Sequence, residues 1–192
     1  MPGYSGGYAG SSSTNIESFR ENSATTVAGA EGYRPSSEIK MHLVAYRLRK
    51  DIEAVVHAHP PYATAFALAG IPLTPCILPE IVATLGAVPL AEYATPSTDE
   101  VPQSIEGIIP KADALLLANH GVLAVGRTIE EAFMRLEMVE HLAKVYFLSL
   151  QLGNVRYLSR EEVGKLIKVR DSLNPGSRWW PCEVCETKTN KD

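Results

Sequence analysis

The stretch Val55-Val56-His57-Ala58-His59-Pro60-Pro61 ends an apolar run with two histidines two residues apart. In an extended strand, residues i and i+2 share a face, so His57 and His59 point the same way with Cβ atoms about 7 Å apart. Two imidazoles at that spacing can grip one metal ion through bonds of about 2 Å. The bland alternative is a pair of half-buried histidines bonded to backbone groups. Any third ligand comes from His42, His120 or His141. His141 lies off the inward stripe of a long helix, beside Glu137, and reads as solvated. His120 sits in a tight turn between two apolar runs, where a buried imidazole needs a partner. His42 lies one turn after Glu38, so these two could form a second ligand pair or an ordinary helix-surface pair. Three neutral imidazoles would leave a bound Zn²⁺ its full charge and an open position to polarise a carbonyl or hold an enediolate. A nearby glutamate can move a carbon-bound proton. Ser36 and Ser37 precede Glu38 at a helix start, where hydroxyls and backbone N–H groups either cap the helix or receive an anion such as phosphate.

The elements that position these residues alternate. Pro35-Ser36-Ser37-Glu38 opens a helix to about Lys50, with Ile39, Leu43 and Tyr46 as its core stripe. A strand over 54–59 follows, then a helix over 62–69 closed by Gly70. The loop IPLTPCILP leads to a short helix near 80–85, and 88–94 reads as the next strand. Ser97 and Glu100 have the spacing of a capping box, with Pro102 delaying or kinking the helix. The runs 114–118 and 122–125 flank Asn119-His120-Gly121 as a hairpin, with Gly121 able to take positive φ. Thr128 and Glu131 form a second capping box and open the longest helix, to about Leu152, with Ala132, Leu136, Val139, Ala143, Tyr146 and Leu150 inward. A last helix covers 160–171. The pattern is α/β, with helices around a sheet.

Composition narrows the class. The 192 residues suffice for one domain with a sizeable core. A net charge of −4, with mixed signs and no basic stripe, leaves no footprint for nucleic acid. No apolar run reaches membrane length, and the N-terminal segment lacks the basic and apolar regions of a secretory signal. Three cysteines, Cys76, Cys182 and Cys185, do not build a disulfide framework, which favours a reducing, cytoplasmic setting. The pair Cys182 and Cys185 supplies half a zinc site at most, and the adjacent Trp179-Trp180 reads as a contact for a neighbouring subunit.

Three motifs in order, PSSE at 35–38, AVVHAHP at 54–60 and LLLANHGVLAVG at 115–126, resemble the class II aldolase/adducin family, as does a long helix carrying EHLAK at 140–144. The resemblance covers about Tyr33 to Arg170. It implies an α/β/α sandwich around a mostly antiparallel sheet; composition sets this domain, over 33–172, between a Gly/Ser-rich, weakly structured segment over 1–32 and an irregular tail over 173–192. It implies Zn²⁺ held by His57, His59 and His120. Glu38 would ligate the metal without substrate and act as acid/base with it. Ser36 and Ser37 would bind the substrate phosphate. The implied activity is a metal-dependent lyase that cleaves a small phosphorylated ketose, such as L-fuculose 1-phosphate, to dihydroxyacetone phosphate and an aldehyde, within a homotetramer. Epimerisation, dehydration or decarboxylation on the same scaffold, and a non-catalytic adducin-like module, are the alternatives. Two departures stand out. The family's N-terminal phosphate loops have only faint echoes at Asn15–Arg20 and Thr26–Gly29, and the tyrosine that donates a proton in sugar-phosphate aldolases has its place near Leu78.

Overall fold

The computed structural model describes residues 36–173 and 178–183. The described residues from Ser37 onward belong to one compact unit. The expectations for 1–32, including the two N-terminal echoes, and for Cys185 lie outside the described residues.

The elements are α1 (Ile39–Leu48), β1 (Ala54–Ala58), α2 (Pro61–Leu68), α3 (Pro79–Val82), β2 (Leu90–Ala91), α4 (Glu100–Ile105), β3 (Ala114–Leu117), β4 (Gly121–Gly126), α5 (Ile129–Gln151) and α6 (Arg160–Leu173). The sheet runs β1-β4-β3-β2. β4 pairs antiparallel with both neighbours, and β2 adds parallel to β3. Every residue of β3 and β4 is buried. Strands covered on both faces read as unbroken apolar runs, as ALLL and GVLAVG do. The period-2 alternation still sorts them. Ala114, Leu116, Val122 and Ala124 pack against Leu136, Val139, Leu142 and Ala143 of α5 and against Ala63, Phe66 and Ala67 of α2. Leu115, Leu117, Leu123 and Val125 pack on the other face with Met41, Val44 and Ala45 of α1 and Val101 and Ile105 of α4. Helices on both faces of a mostly antiparallel sheet give the expected α/β/α sandwich.

Several local expectations shift. α1 buries Met41, Val44 and Ala45, while Ile39, Leu43 and Tyr46 are half-buried, because the helix begins at Ile39 and turns the neighbouring stripe inward. The expected 88–94 strand is two residues long, with Val88 instead bridging Leu73. Ser97 is not a cap: it takes φ +69°, and the Thr98 hydroxyl accepts from the Glu100 N–H at 3.2 Å, so α4 starts late enough to seat Pro102 in its first turn. The Thr128 cap holds, accepting from the Glu131 N–H at 3.2 Å. Leu150 is 44% exposed, since α5 has by then run past the sheet.

The tail departs most. Cys76 and Cys182 form a disulfide across a separation of 106 residues. Cys76 packs with Val82 and Val163, and its N–H and carbonyl bond Glu183 and Leu158. The Trp179 indole donates to the Val82 carbonyl at 2.8 Å, and Trp180 bridges Gly86. A Cβ at Gly86, where φ is +76°, would lie 2.2 Å from the Trp180 carbonyl oxygen and 2.6 Å from Trp179 Nε1. The tryptophans therefore pack on their own chain, and the cysteines are not all reduced thiols.

Candidate metal centre

His57 lies on the face of β1 that Val55 shares, and Val55 is in the core under α1. Glu38 is the residue at the N-cap position of α1, with no side-chain cap bond of its own there. The same face of the sheet therefore receives His57 from β1 and the Glu38 carboxylate from the start of α1. His120 comes from the β3–β4 turn, where Asn119 supplies the positive φ of 58°. Asparagine tolerates that region, so Gly121 is not needed for it. Gly121 serves close approach: a Cβ there would sit 2.5 Å from the Ala58 carbonyl oxygen and 2.7 Å from His59 Cδ2. Only a glycine lets the hairpin press against the His-Ala-His segment.

These elements bring Glu38, His57, His59 and His120 together, with one ligand atom from each lying within 4.8 Å of all the others. His57 Nε2 is 3.0 Å from His59 Nε2 and 3.0 Å from Glu38 Oε2, and His120 Nε2 is 2.7 Å from Glu38 Oε1. The three ring centroids are 4.7–4.9 Å apart. His57 Nδ1 lies 2.9 Å from the Val122 carbonyl oxygen. A carbonyl only accepts, so Nδ1 carries the proton and a neutral ring turns its Nε2 lone pair into the cluster. Burial keeps the ring neutral by pushing its pKa down to about 4, against the pull of the Val122 carbonyl and Glu38. A lone pair 3.0 Å from a carboxylate oxygen is unfavourable unless a cation lies between them. The donor set thus fits a divalent metal of the kind imidazole and carboxylate prefer, and the backbone carbonyl on Nδ1 is the usual outer partner of a ligating histidine.

The other candidates separate cleanly. His141 is exposed, as its helix position implies. His42 is half-buried outside the cluster; burial lowers its pKa, and the charge of Glu38 opposes that. Ser36 and Ser37 are exposed directly before Glu38. Ser37 and Glu38 line a small cleft together with Lys40, Ser97, Thr98 and His120. Sequence reading missed Lys40, Ser97 and Thr98 as parts of this wall. Ser97 reads there only as a helix cap, and Lys40 and Thr98 have no role in it; Lys40 pairs with Asp99 at 2.6 Å.

Residues 15–147 match the family model for the Class II Aldolase and Adducin N-terminal domain, and the chain belongs to that family. It is 39% identical over 140 residues to the 5-deoxy-D-ribulose 1-phosphate aldolase of Bacillus thuringiensis serovar kurstaki, covering 72% of this chain. It is 35% identical over 141 residues to the 3-oxo-tetronate 4-phosphate decarboxylase of Escherichia coli K12, covering 70% of this chain. It is 36% identical over 140 residues to the L-fuculose phosphate aldolase of Escherichia coli O157:H7, covering 72% of this chain. The matched region spans 65% of each of these relatives. Among solved structures, an L-fuculose 1-phosphate aldolase superposes with a TM-score of 0.66 at 40% identity, over 72% of this chain and 66% of that one. The L-fuculose-1-phosphate aldolase of Thermus thermophilus gives 0.55 at 29% identity, over 67% and 70%.

Proposed function

We propose that this chain is a zinc-dependent lyase that cleaves a small phosphorylated ketose, such as L-fuculose 1-phosphate, to dihydroxyacetone phosphate and an aldehyde. The observation that carries this reading is the convergence of three imidazoles and one carboxylate, with the His57 tautomer set by Val122. His57, His59 and His120 would hold the ion, with Glu38 as a fourth ligand in the absence of substrate. When bound, the ion supplies a Lewis acid for the negative charge that develops on the substrate's carbonyl oxygen. Glu38, whose two oxygens reach His57 and His120, is then placed to take a proton from carbon and return it. Ser36 and Ser37 would hold the phosphate. Leu78, half-buried against the core, offers no proton to the aldehyde oxygen, so that donor lies elsewhere.

The decarboxylase relative supports a second reading, in which the same site acts on a sugar-acid phosphate. Both reactions pass negative charge to the same oxygen, and they differ in whether the bond broken releases an aldehyde or CO₂. A non-catalytic module needs no metal. We also assign the protein as a homo-oligomer, a tetramer by resemblance, supported by the exposed Phe133, Met134 and Leu148 of α5. We propose a cytoplasmic setting from the phosphorylated sugars that relatives act on, since the Cys76–Cys182 disulfide removes the support of reduced cysteines. Among the described residues no helix is long and apolar enough to cross a membrane.

The test is elemental analysis of the purified protein beside His57→Ala and His141→Ala. Zinc near one per chain in the wild type, lost in His57→Ala and kept in His141→Ala, supports the ligand set. Equal loss in both variants overturns it. Release of dihydroxyacetone phosphate from ketose 1-phosphates then separates lyase from decarboxylase.

A further inference from the structure

EHLAK at 140–144 lies in the middle of α5, well away from the cluster in sequence, and the proposed chemistry does not use it. Its glutamate nevertheless reaches the segment that carries His59. Glu140 Oε1 accepts from the Tyr62 N–H at 3.1 Å, and Oε2 accepts from the Ala63 N–H at 2.8 Å. These are the first two N–H groups of α2, since Pro61 has none. The helix has no local cap, because Pro60 at the N-cap position carries no acceptor side chain. A carboxylate from a distant helix therefore closes the start of α2, where the helix dipole favours negative charge. Lys144, one turn on, sits 5.6 Å above the Tyr62 ring, and Phe147 packs on that ring at 5.9 Å. One stripe of α5 thus grips the first turn of α2.

The grip passes to the metal centre through a stiff connection. His59, Pro60 and Pro61 are consecutive. Each proline fixes its own φ and restricts the residue before it, so few soft dihedrals separate the His59 backbone from the anchored N–H groups. On its other side His59 meets Gly121. Its ring meets His57 and His120 and is otherwise exposed, whereas the His57 side chain is 6% exposed and tied to Val122.

We propose that Glu140 is a positioning residue for the metal centre: by fixing the start of α2 it holds His59 within reach of His57 and His120, an inference that rests on the metal reading above. It touches neither the ion nor the substrate. Removing it lets the Pro60-Pro61 turn relax and turns a three-imidazole site towards a two-imidazole one.

The probe is Co²⁺, whose visible spectrum reports coordination directly, titrated into metal-depleted wild type, Glu140→Ala, Glu140→Gln and Thr128→Ala. Thr128→Ala removes the N-cap of the same helix without touching α2. Glu140→Ala should bind Co²⁺ up to about 10-fold more weakly, the low end of what losing a direct partner of a ligand costs, because Glu140 acts on His59 only through the backbone. Its cobalt spectrum should also change, because one imidazole is no longer held. Glu140→Gln should fall between it and wild type, since an amide oxygen can accept from only one of the two N–H groups in that geometry. Thr128→Ala should match wild type in affinity and spectrum, although both it and Glu140→Ala lower thermal stability. If Glu140→Ala fails to fold, Glu140→Gln decides alone. Wild-type affinity and spectrum in the folded Glu140 variant, or equal weakening in Thr128→Ala, overturns the inference and leaves the metal reading standing. A wild type that takes up no cobalt overturns both.

Discussion

At the end of the sheet where β1 begins, Arg49 and Asp113 are 3% and 2% exposed, and each charge meets its opposite. Arg49 Nη2 is 2.7 Å from Asp113 Oδ1, Arg135 Nη2 is 2.8 Å from Asp113 Oδ2, and Arg49 also forks onto Asp51 with two bonds of 2.8 Å. The remaining Arg49 hydrogens go to the carbonyls of Ile109 and Ala112, and Arg135 also donates to the Val125 carbonyl and pairs with Glu131 at 3.1 Å. Burial disfavours the charge on Arg49, but the bonds to Asp51 and Asp113 more than restore it, so its pKa lies above the ordinary guanidinium value. At the opposite end, Glu38, His57, His59 and His120 converge as electron-pair donors. The base of the sheet brings its own cations; the tip gathers four donors that could hold a cation from outside. The first arrangement ties α1, β3 and α5 together, and the second is the one to which the proposed function gives a metal.

The comparison predicts that variants at the two ends fail in opposite ways. The largest expected effect is at the tip. Glu38→Gln keeps three imidazoles, the usual protein complement of a catalytic zinc, so it should retain the metal. It should lose about 10²–10⁴ in rate, because an amide cannot accept and return a proton near neutral pH. Exchange of the C3 proton of dihydroxyacetone phosphate with deuterium, followed by NMR at equal zinc content, measures this; equal exchange in both proteins removes Glu38 from the base role.

At the base the pattern reverses. Asp113→Ala removes the partner that two guanidinium groups share; Arg49 keeps Asp51 and Arg135 keeps Glu131, so the cost should fall below the about 3–5 kcal/mol of a fully stranded buried charge. Denaturant unfolding should show that loss, while the folded fraction keeps the metal stoichiometry of the wild type. Loss of zinc from folded Asp113→Ala would mean that the two ends are coupled and the comparison is false.

A third site serves as a control between them. Reducing the Cys76–Cys182 bond removes the covalent tie of the 178–183 segment and leaves only its hydrogen bonds, such as Trp179 to Val82, and its bridges to Pro75 and Gly86. A disulfide is typically worth about 2–4 kcal/mol, chiefly by restricting the unfolded chain. Dithiothreitol should therefore lower the melting temperature without changing zinc content, and thiol alkylation with mass spectrometry should detect the released pair. An unchanged melting temperature after verified reduction would show that the tail contributes no stability.

The smallest effect belongs to Asp51. Its hydrogen bonds from Arg49 hold its carboxyl down at about 2, although its side chain is 45% exposed. A folded-state value below the unfolded value of about 3.9 stabilises the protein above about pH 4, and that stability is lost as pH falls towards 2. Solvent screening limits it to under about 1 kcal/mol. Asp51→Asn should be slightly less stable at pH 7 and equal to wild type near pH 2, by urea midpoints. A gap that persists at pH 2 would assign the effect to packing.

How much of this was legible in the sequence depends on the range of the interaction. The His-Ala-His pair could be read because a strand fixes the facing of residues two apart. The Thr128 cap could be read because its partner lies three residues away. The strands β3 and β4 could be read because burial on both faces leaves nothing but apolar residues. Residues set by distant contacts escaped. The role of Gly121 depends on the Ala58 carbonyl and the His59 ring, not on its own φ. Cys76 finds Cys182 and not a near neighbour. Glu140 caps a helix that begins far earlier in the chain, at a separation of 77 and 78 residues for its two bonds.

The sequence by itself determined the donor types of the candidate site and the facing of two of them, because residue chemistry and strand period are local properties. It also carried the family, through three motifs in order. Only the tertiary structure decided that Glu38 and His120 meet His57 and His59, that Val122 sets the His57 tautomer, and that His42 stays outside. Those outcomes depend on which face α1 packs against and how β4 registers with β1, and both are settled by burial of the whole core rather than by any segment alone.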